Sequence, residues 1–469
     1  MLGLAAAVRV VAMLAYWGVL WFPDSHSYLA VAIKPQQYPV RPIGYSFFLG
    51  LLQPFHSFAA VAIAQHVMGL IMGVLIYLLL RVRFRVRQWI SLLGAAPVLF
   101  HGYQIQLEHM LLSDVLFEFL LVVAVTLILW WPDGRWSAGF AGLTLGLAAA
   151  TRSVALPLLV IFVVYLVIRR RWWRVVLTAG VCAVPVIAYA LWFHAAWGVY
   201  AMTNSGGIFL YGRVMAFADC SRMNPPPDEL KLCPKKPAAE RGPSPNYIWH
   251  NGYFGKFPNN EKFTPERNRL ARDFARRAII AQPGDYAMTG LNDLARTFWW
   301  DRPPYPTKYS TRLYEFLPEL DPLHLDGKPV PNESLGDAVR TYLDSPNADG
   351  LARVNPKYAH FMIRYQDIVD IHGTILLPIV AAGGIMLLIR RRPVAHAALP
   401  WLTSVALLVT PPFVSAFGYR YVIPAIPLAA LALALTFGPS RPDADPVAAG
   451  QDGDQEAAVP ADPGPEVRP

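Results

Sequence analysis

The chain has 469 residues, of which 55% are hydrophobic and 16% charged, and it carries 14 Trp, 24 Phe and 21 Tyr. Soluble chains are about a quarter charged, so a soluble enzyme is excluded before any motif is read. The net charge of +9 would suit nucleic acid or a membrane protein with basic loops, and the placement of the arginines favours the membrane.

In chain order, an apolar run over about 3–22 predicts a first span, leaving the membrane at Trp21-Phe22-Pro23-Asp24. It lacks a basic stretch before its apolar part and a small-residue cleavage site, so it reads as a retained span rather than a signal peptide. A second span over about 56–80 ends at Arg81, Arg83, Arg85 and Arg87. A third, about 89–104, leads to Glu108, and a fourth, about 113–131, to the link Pro132-Asp133-Gly134-Arg135. The stretch 137–168 is too long for one span; Thr151-Arg152-Ser153 divides it in two, and Arg169, Arg170, Arg171 and Arg174 follow. A seventh span, about 175–197, enters a long polar segment. Three more follow near 371–389, 396–412 and 421–437, with Arg390, Arg391 and Arg392 between the first two. This alternation puts all three arginine clusters on one side, which the positive-inside rule makes cytoplasmic. Nucleic acid as a partner is excluded, because the basic residues border apolar runs instead of lining a soluble face.

The segment 199–370 is rich in Pro and nearly balanced in charge, and is long enough to fold as an extracytoplasmic domain. Thr264-Pro265-Glu266 predicts a capped helix start, with Leu270, Phe274 and Ala278 on one face. A second helix is expected after Pro283, burying Tyr286, Leu294 and Phe298. Residues 439–469 read as a disordered cytoplasmic tail. Of three cysteines, Cys182 falls in a span, whereas Cys220 and Cys233 share the outer loop and are expected to form a disulfide stabilising it by about 3 kcal/mol. The fold class expected is an all-α polytopic membrane protein of about ten transmembrane helices. Its modules are 1–198 (seven spans), a mainly helical loop domain over 199–370, and three spans over 371–438.

Polar groups stand out in so apolar a chain, because a charge at a span centre costs about 2.5–3.5 kcal/mol on insertion scales. Asp24 follows the first span and is placed to take a proton from a hydroxyl; Arg41-Pro42-Ile43-Gly44-Tyr45 comes shortly after it. Glu108 and His109 lie at the outer mouth of the third and fourth spans, with Asp114 read as a helix-capping residue. Arg152 and Arg420, the latter in Tyr419-Arg420-Tyr421, run against the positive-inside trend, and a phosphate bound bidentately would explain them. A divalent cation on Asp24 and Glu108, with His26 and His109 nearby, is an open cofactor alternative. Tyr247, Trp249, Tyr253, Trp299 and Trp300 are either sugar-stacking residues or core of the loop domain.

The order of these motifs resembles a known family. An Asp after the first span, Arg-Pro-x-Gly-Tyr before the second, an acid after the third, Gly-Leu-Ala-Ala-Ala-Thr-Arg over 146–152 and Arg-Tyr-Val-Ile-Pro over 420–424 are similar to the GT-C superfamily of integral-membrane glycosyltransferases. Protein mannosyltransferases and lipid A aminoarabinose transferases are the nearest members in kind, and the resemblance covers roughly 1–200 and 370–437. It implies a GT-C-like fold and transfer of a sugar from a polyprenyl-phosphate donor to an acceptor hydroxyl on an envelope glycan, lipid or protein. By that resemblance Asp24 and Glu108 are the catalytic acids, and Arg41, Tyr45, His109, Arg152, Arg420 and Tyr421 bind substrate. Such a transferase would work at the outer face of a bacterial plasma membrane. The compositional bias towards Ala, Arg, Val and Pro suggests a GC-rich bacterial genome, with mannose or arabinose as the sugar. The rival reading is a lipid-linked sugar flippase or transporter, which would show repeated halves and charges at mid-depth; neither is visible in the sequence.

Overall fold

The structure is a computed structural model and describes residues 1–250, 252–325, 333–390 and 392–438. The tail expected over 439–469 and Arg391 of the third basic cluster lie outside the described residues. Each apolar stretch of the first module is helical: α1 (Leu2–Ala15), α4 (Phe58–Leu78), α5 (Gln88–Phe100), α7 (Asp114–Trp130), α8 (Arg135–Thr151), α9 (Ala155–Ile168) and α10 (Trp172–Trp197). Short helices α2 (Ser25–Ile33), α3 (Gly44–Leu52) and α6 (Gly102–Glu108) lie between them. Near the C-terminus, Gly373–Arg390, Ala398–Val414 and Ile426–Leu435 are helical.

The chain is thus a helical polytopic membrane protein. By length and composition, four helices are sufficient to cross a bilayer: Phe58–Arg83, Trp172–Trp197, Gly373–Arg390 and Ala395–Val414. Others are shorter; the 17 residues of α7 reach about 25 Å. Among the described residues four more apolar helices, Leu2–Ala15, Gln88–Phe100, Ala155–Ile168 and Tyr419–Leu435, fall short of that length where the sequence pattern places further spans. One physical reason is visible in α7, which carries Asp114 and Glu118 and is largely buried among other helices, so it presents little surface that lipid must match.

Helix packing follows the small residues. A Cβ on Gly142 would lie 2.3 Å from the carbonyl oxygen of Thr178, and one on Gly146 would lie 2.3 Å from the Pro185 ring. This small-xxx-small spacing lets α8 and α10 approach backbone to backbone, and Thr178 donates across the contact to Ala138 O at 3.1 Å. Between α8 and α9 the backbone turns extended at Arg152, and Pro157 fits the first turn of α9, where its missing N–H costs nothing. The expected break at Thr151-Arg152-Ser153 is there.

The basic clusters gather at one end of the bundle. Arg83 donates to Trp130 O (2.9 Å), Arg174 to Pro132 O (2.5 Å) and Arg390 to Thr436 O (2.8 Å), so each covers a carbonyl at or just beyond the end of a neighbouring helix. At the other end lie the start of α7, the end of α8 and the stretch Gly418–Tyr421.

The long loop divides into two halves that pack on different supports. In the first, α11 (Gly206–Val214) packs on the helix Pro265–Ala281, and its free N–H groups at Gly207 and Ile208 bond to Asn268 Oδ1. Thr264 accepts from the Arg267 N–H as the expected cap, and Ala271, Phe274, Ala275 and Ala278 form the buried face. These residues share a core with Tyr38, Val40 and Ile43 of the first loop. The Cys220 and Cys233 sulfurs are bonded within this half. The second half, including Tyr314, Phe316 and Leu335–Leu343, packs on the ends of α1 and α4. There strand β1 (Tyr16–Trp17) pairs antiparallel with β2 (Arg353–Val354), Tyr16 opposite Val354. Gly146→Val should force α8 and α10 apart and destabilise the protein by about 3 kcal/mol. A lowered thermal midpoint in nanodiscs checks this, whereas Gly139→Val, which meets open space, should leave the midpoint unchanged.

Candidate active site

The first loop is held where Asp24 must meet the fourth apolar helix. Leu20 N–H donates to His109 O (2.9 Å) and Leu111 N–H returns to Leu20 O (3.0 Å). Ser25 Oγ donates to Leu111 O at 2.8 Å, and Tyr28 and Ser113 hydroxyls bond at 2.8 Å. These contacts lay residues 20–28 against 109–113 and bring Asp24 and Asp114 to one cavity.

A second close approach brings the arginines. A Cβ on Gly44 would lie 2.6 Å from Ala150 O, so only glycine lets the start of α3 abut the end of α8. Arg41-Pro42 on one side and Thr151-Arg152 on the other then line the same cavity of about 230 Å³. Phe117, Leu407, Pro411, Val414 and Pro424 give it an apolar wall towards the helices.

Asp24 sits at N-cap position before α2 but makes no side-chain capping bond. Both its oxygens go to guanidiniums instead: Oδ1 to Arg41 Nη2 at 2.9 Å and Oδ2 to Arg420 Nη2 at 2.7 Å. Burial alone would raise this carboxyl, but Arg41 and Arg420 hold it well below the usual carboxylate range. Burial works against the Arg41 charge, yet Asp24 beside it moves the guanidinium's own titration further up. The Arg420 guanidinium lies over Phe22 (4.6 Å) and Tyr421 (5.1 Å), and its Nη1 makes no hydrogen bond among the described residues. Arg152 forms an ion pair with Asp114 and lies over the Tyr421 ring at 5.2 Å.

Asp24, Arg41, Arg420 and Tyr421 also line a second, larger cavity of about 910 Å³ under the loop domain. It opens along the seam between the two halves of the loop, with Trp249 and Phe257 on one side and Tyr305, Tyr309 and Tyr314 on the other. The clamped carboxylate is therefore shared by two cavities, one walled by helices and one roofed by the loop.

The structure brings Asp24, Arg41, Arg152, Arg420 and Tyr421 together. It does not bring Glu108, His109 or Tyr45 to them. Glu108 is 0% exposed and saturated: Arg9 donates from Nε and Nη2 at 2.8 Å each, His66 approaches at 2.9 Å and Gln104 at 3.3 Å. A side chain at position 69 would collide with Glu108, so Gly69 makes the space for this pair. The expectation that Glu108 stands beside Asp24 is corrected. Its partner Arg9, a guanidinium inside the first apolar helix, was the available signal, because a charge there demands a counter-ion. His109 is spent between His66 Nε2 (3.0 Å) and Tyr16 O (2.7 Å). Tyr45 donates to Gln65 Oε1 at 2.9 Å and braces the Tyr28 ring from outside the cavities. The second acid of the site is Asp114, which the sequence reading took for a helix cap.

The side chains considered for a cation are engaged with other partners. Asp24 and Glu108 are apart, two guanidiniums occupy the oxygens of Asp24, and no group of three His, Cys, Asp or Glu side chains suited to a metal exists among the described residues. His26 instead bonds to Glu333 O at 3.1 Å. Of the aromatics considered for sugar stacking, Trp249 lines the large cavity. Tyr247 and Tyr253 pack into the loop core, and Trp299 and Trp300 are exposed away from it.

No protein-family profile and no curated protein matches the chain. Among solved structures it has distant similarities, of which three follow. ArnT from Cupriavidus metallidurans bound to undecaprenyl phosphate matches at 13% identity and a TM-score of 0.35, over 93% of this chain and 74% of that one. The archaeal oligosaccharyltransferase AglB from Archaeoglobus fulgidus, in complex with an inhibitory peptide and a dolichol-phosphate, matches at 14% and 0.43, over 92% and 50%. The S. cerevisiae protein O-mannosyltransferase Pmt1-Pmt2 complex bound to the sugar donor matches at 16% and 0.33, over 45% and 35%. The chain spans about a third of the length of the yeast chain and half that of the archaeal one. Likeness at this level fixes neither activity nor substrate; the side chains of the site have to.

Glu108→Ala should leave the Arg9 guanidinium buried and unpaired, destabilising the protein by about 3–5 kcal/mol. Thermal unfolding in nanodiscs reads this. A loss of function in Glu108→Ala that came without any loss of stability would return Glu108 to the chemistry.

Proposed function

We propose that the protein is a membrane glycosyltransferase that moves a sugar from a polyprenyl-phosphate donor to an acceptor hydroxyl. The observation that carries this reading is the carboxylate of Asp24, held by two arginines at the boundary of two cavities. The smaller cavity suits the donor: Arg152 and Arg420 supply planar guanidiniums for a phosphate, and the Phe117, Leu407 and Val414 side suits the first units of a lipid tail. The larger cavity suits the acceptor.

The reaction needs one base. The acceptor oxygen attacks C1 of the sugar while the bond from C1 to the phosphate oxygen breaks. The bonding pair leaves on polyprenyl phosphate, and the acceptor proton passes to Asp24. A phosphate monoester, with a second pKa of about 6, departs without a proton donor. A glycosidase, by contrast, needs two carboxylates. Arg152 and Arg420, turning from their carboxylates to the leaving oxygens, supply the electrostatic stabilisation.

Clamped by Arg41 and Arg420, the Asp24 carboxylate is a weak base. A donor phosphate competes for those guanidiniums and adds its own negative charge nearby, and both effects raise the carboxyl's basicity. Donor binding thereby creates the base that the acceptor needs. The sugar is mannose or arabinose on this reading, the acceptor an envelope glycan, lipid or protein, and the setting the outer face of a bacterial plasma membrane.

The direct test uses the purified chain in lipid nanodiscs with labelled polyprenyl-phosphate sugars, following release of polyprenyl phosphate. Asp24→Asn should lower turnover by at least about a thousandfold with donor binding retained. Full activity in this variant would remove Asp24 from the chemistry. Arg420→Lys should weaken donor binding about tenfold or more, because an ammonium cannot reproduce the two-pronged contact. The pH profiles should also separate: the acid limb of kcat, set in the donor complex, lies at higher pH than that of kcat/KM, set in the free enzyme. Coincident limbs would show that donor binding leaves Asp24 unchanged.

A further inference from the structure

The large cavity holds a cation that neither the donor nor Asp24 uses. Lys262 is 3% exposed yet lines the cavity. Its backbone is pinned, because the next residue's carbonyl, Phe263 O, accepts from Asn204 Nδ2 at 2.8 Å, and Asn204 is in turn bonded by Asn268 at 3.1 Å. Its Nζ lies 4.9 Å from the Trp249 ring and 6.0 Å from that of Phe263. No carboxylate pairs with it among the described residues; burial without a counter-charge pushes the ammonium down to about 8. A cation–π contact does not replace a counter-ion for a charge enclosed in this way. Trp249 itself is steadied by Phe209 and Phe263, at ring separations of 6.3 and 5.7 Å, so the indole is a fixed surface. A buried, positioned, uncompensated ammonium beside a fixed aromatic face is half of a binding site for an anion attached to a sugar ring.

We propose that Lys262 and the wall around Trp249 form an acceptor subsite for a saccharide bearing an acidic group, a carboxylate or a phosphate ester. The lysine pairs with the acid while the indole covers a sugar face, and a hydroxyl of the same saccharide points towards Asp24 at the far side of the cavity. The proposal rests on the reading of this cavity as the acceptor side. It deepens that reading by naming what the acceptor must carry. At about 910 Å³ the cavity lies in the range of drug-sized ligand sites and has room for more than one sugar unit.

The test is a binding measurement that requires no transfer. The full chain in zwitterionic nanodiscs is titrated calorimetrically with a uronic-acid trisaccharide, its carboxyl-reduced neutral counterpart, a phosphate monoester of that neutral form and, separately, an acidic peptide. The wild type should bind at least one acidic probe about tenfold or more tightly than the neutral one. The arm that binds tells carboxylate from phosphate. Lys262→Met should bring that probe to the affinity of the neutral one, and Lys262→Arg should keep most of the difference. Equal affinities in the wild type, a difference that survives in Lys262→Met, or binding of an acidic peptide in place of all three saccharides would each overturn the subsite. Donor cleavage on the same preparations separates the two claims. Cleavage without discrimination removes the subsite and keeps the transferase, whereas discrimination without cleavage of any donor keeps the acidic-saccharide site and removes the transferase.

Discussion

The contact on which the site depends is one carboxylate between two guanidiniums. Asp24 and Arg420 are 396 residues apart in sequence, so their ion pair closes the first loop onto the start of the last apolar helix. Partially buried charges are tolerable only when paired, and here the pairing fixes where three chain segments meet. Arg41 reaches the same carboxylate from the connection before α3. The arrangement places Arg41, Arg152 and Arg420, the charged groups that a phosphate would need, around one small cavity.

Two cavities meet at that contact because the loop over 199–370 is not one body of packing. Its first half rests on Tyr38, Val40 and Ile43, and its second on the ends of α1 and α4. The seam between them is the larger cavity. A separate polar cluster ties the loop to the helices near residue 101: His101 Nε2 meets Asp370 Oδ1 at 2.8 Å, Arg302 meets the same oxygen at 2.9 Å, and Arg302 lies 3.6 Å over the Tyr103 ring.

Much of this was legible in the residues and some was not. Apolar runs marked the helices, because their hydrophobicity outweighs any local turn preference, and Arg152 marked the break between α8 and α9. Asp24, Arg41, Arg152 and Arg420 were visible as charges that needed a reason. Glu108 misled because an acid near a predicted helix end looks accessible in a one-dimensional reading, whereas its environment depends on Arg9 and His66 reaching it from other helices. Asp114 was passed over for the converse reason: a first-turn acid already has a local explanation, and only the fold shows Arg152 beside it. Lys262 had no local signature at all. Its significance lies in what does not pair with it, and a sequence cannot show that.

The clamp on Asp24 also bears on a side reaction. An activated sugar held beside a cavity large enough to admit water is exposed to hydrolysis, and a free carboxylate there would help water as readily as an alcohol. In the resting arrangement that carboxylate is tied by Arg41 and Arg420, and the rings of Phe22 and Tyr421 cover the Arg420 guanidinium. On the proposed reading, the base is released only while phosphate occupies the arginines, and it is tied again once that phosphate departs. On that reading the carboxylate is free throughout the lifetime of the loaded complex, so economy with a costly lipid-linked sugar depends on how soon an acceptor fills the larger cavity and displaces water from it.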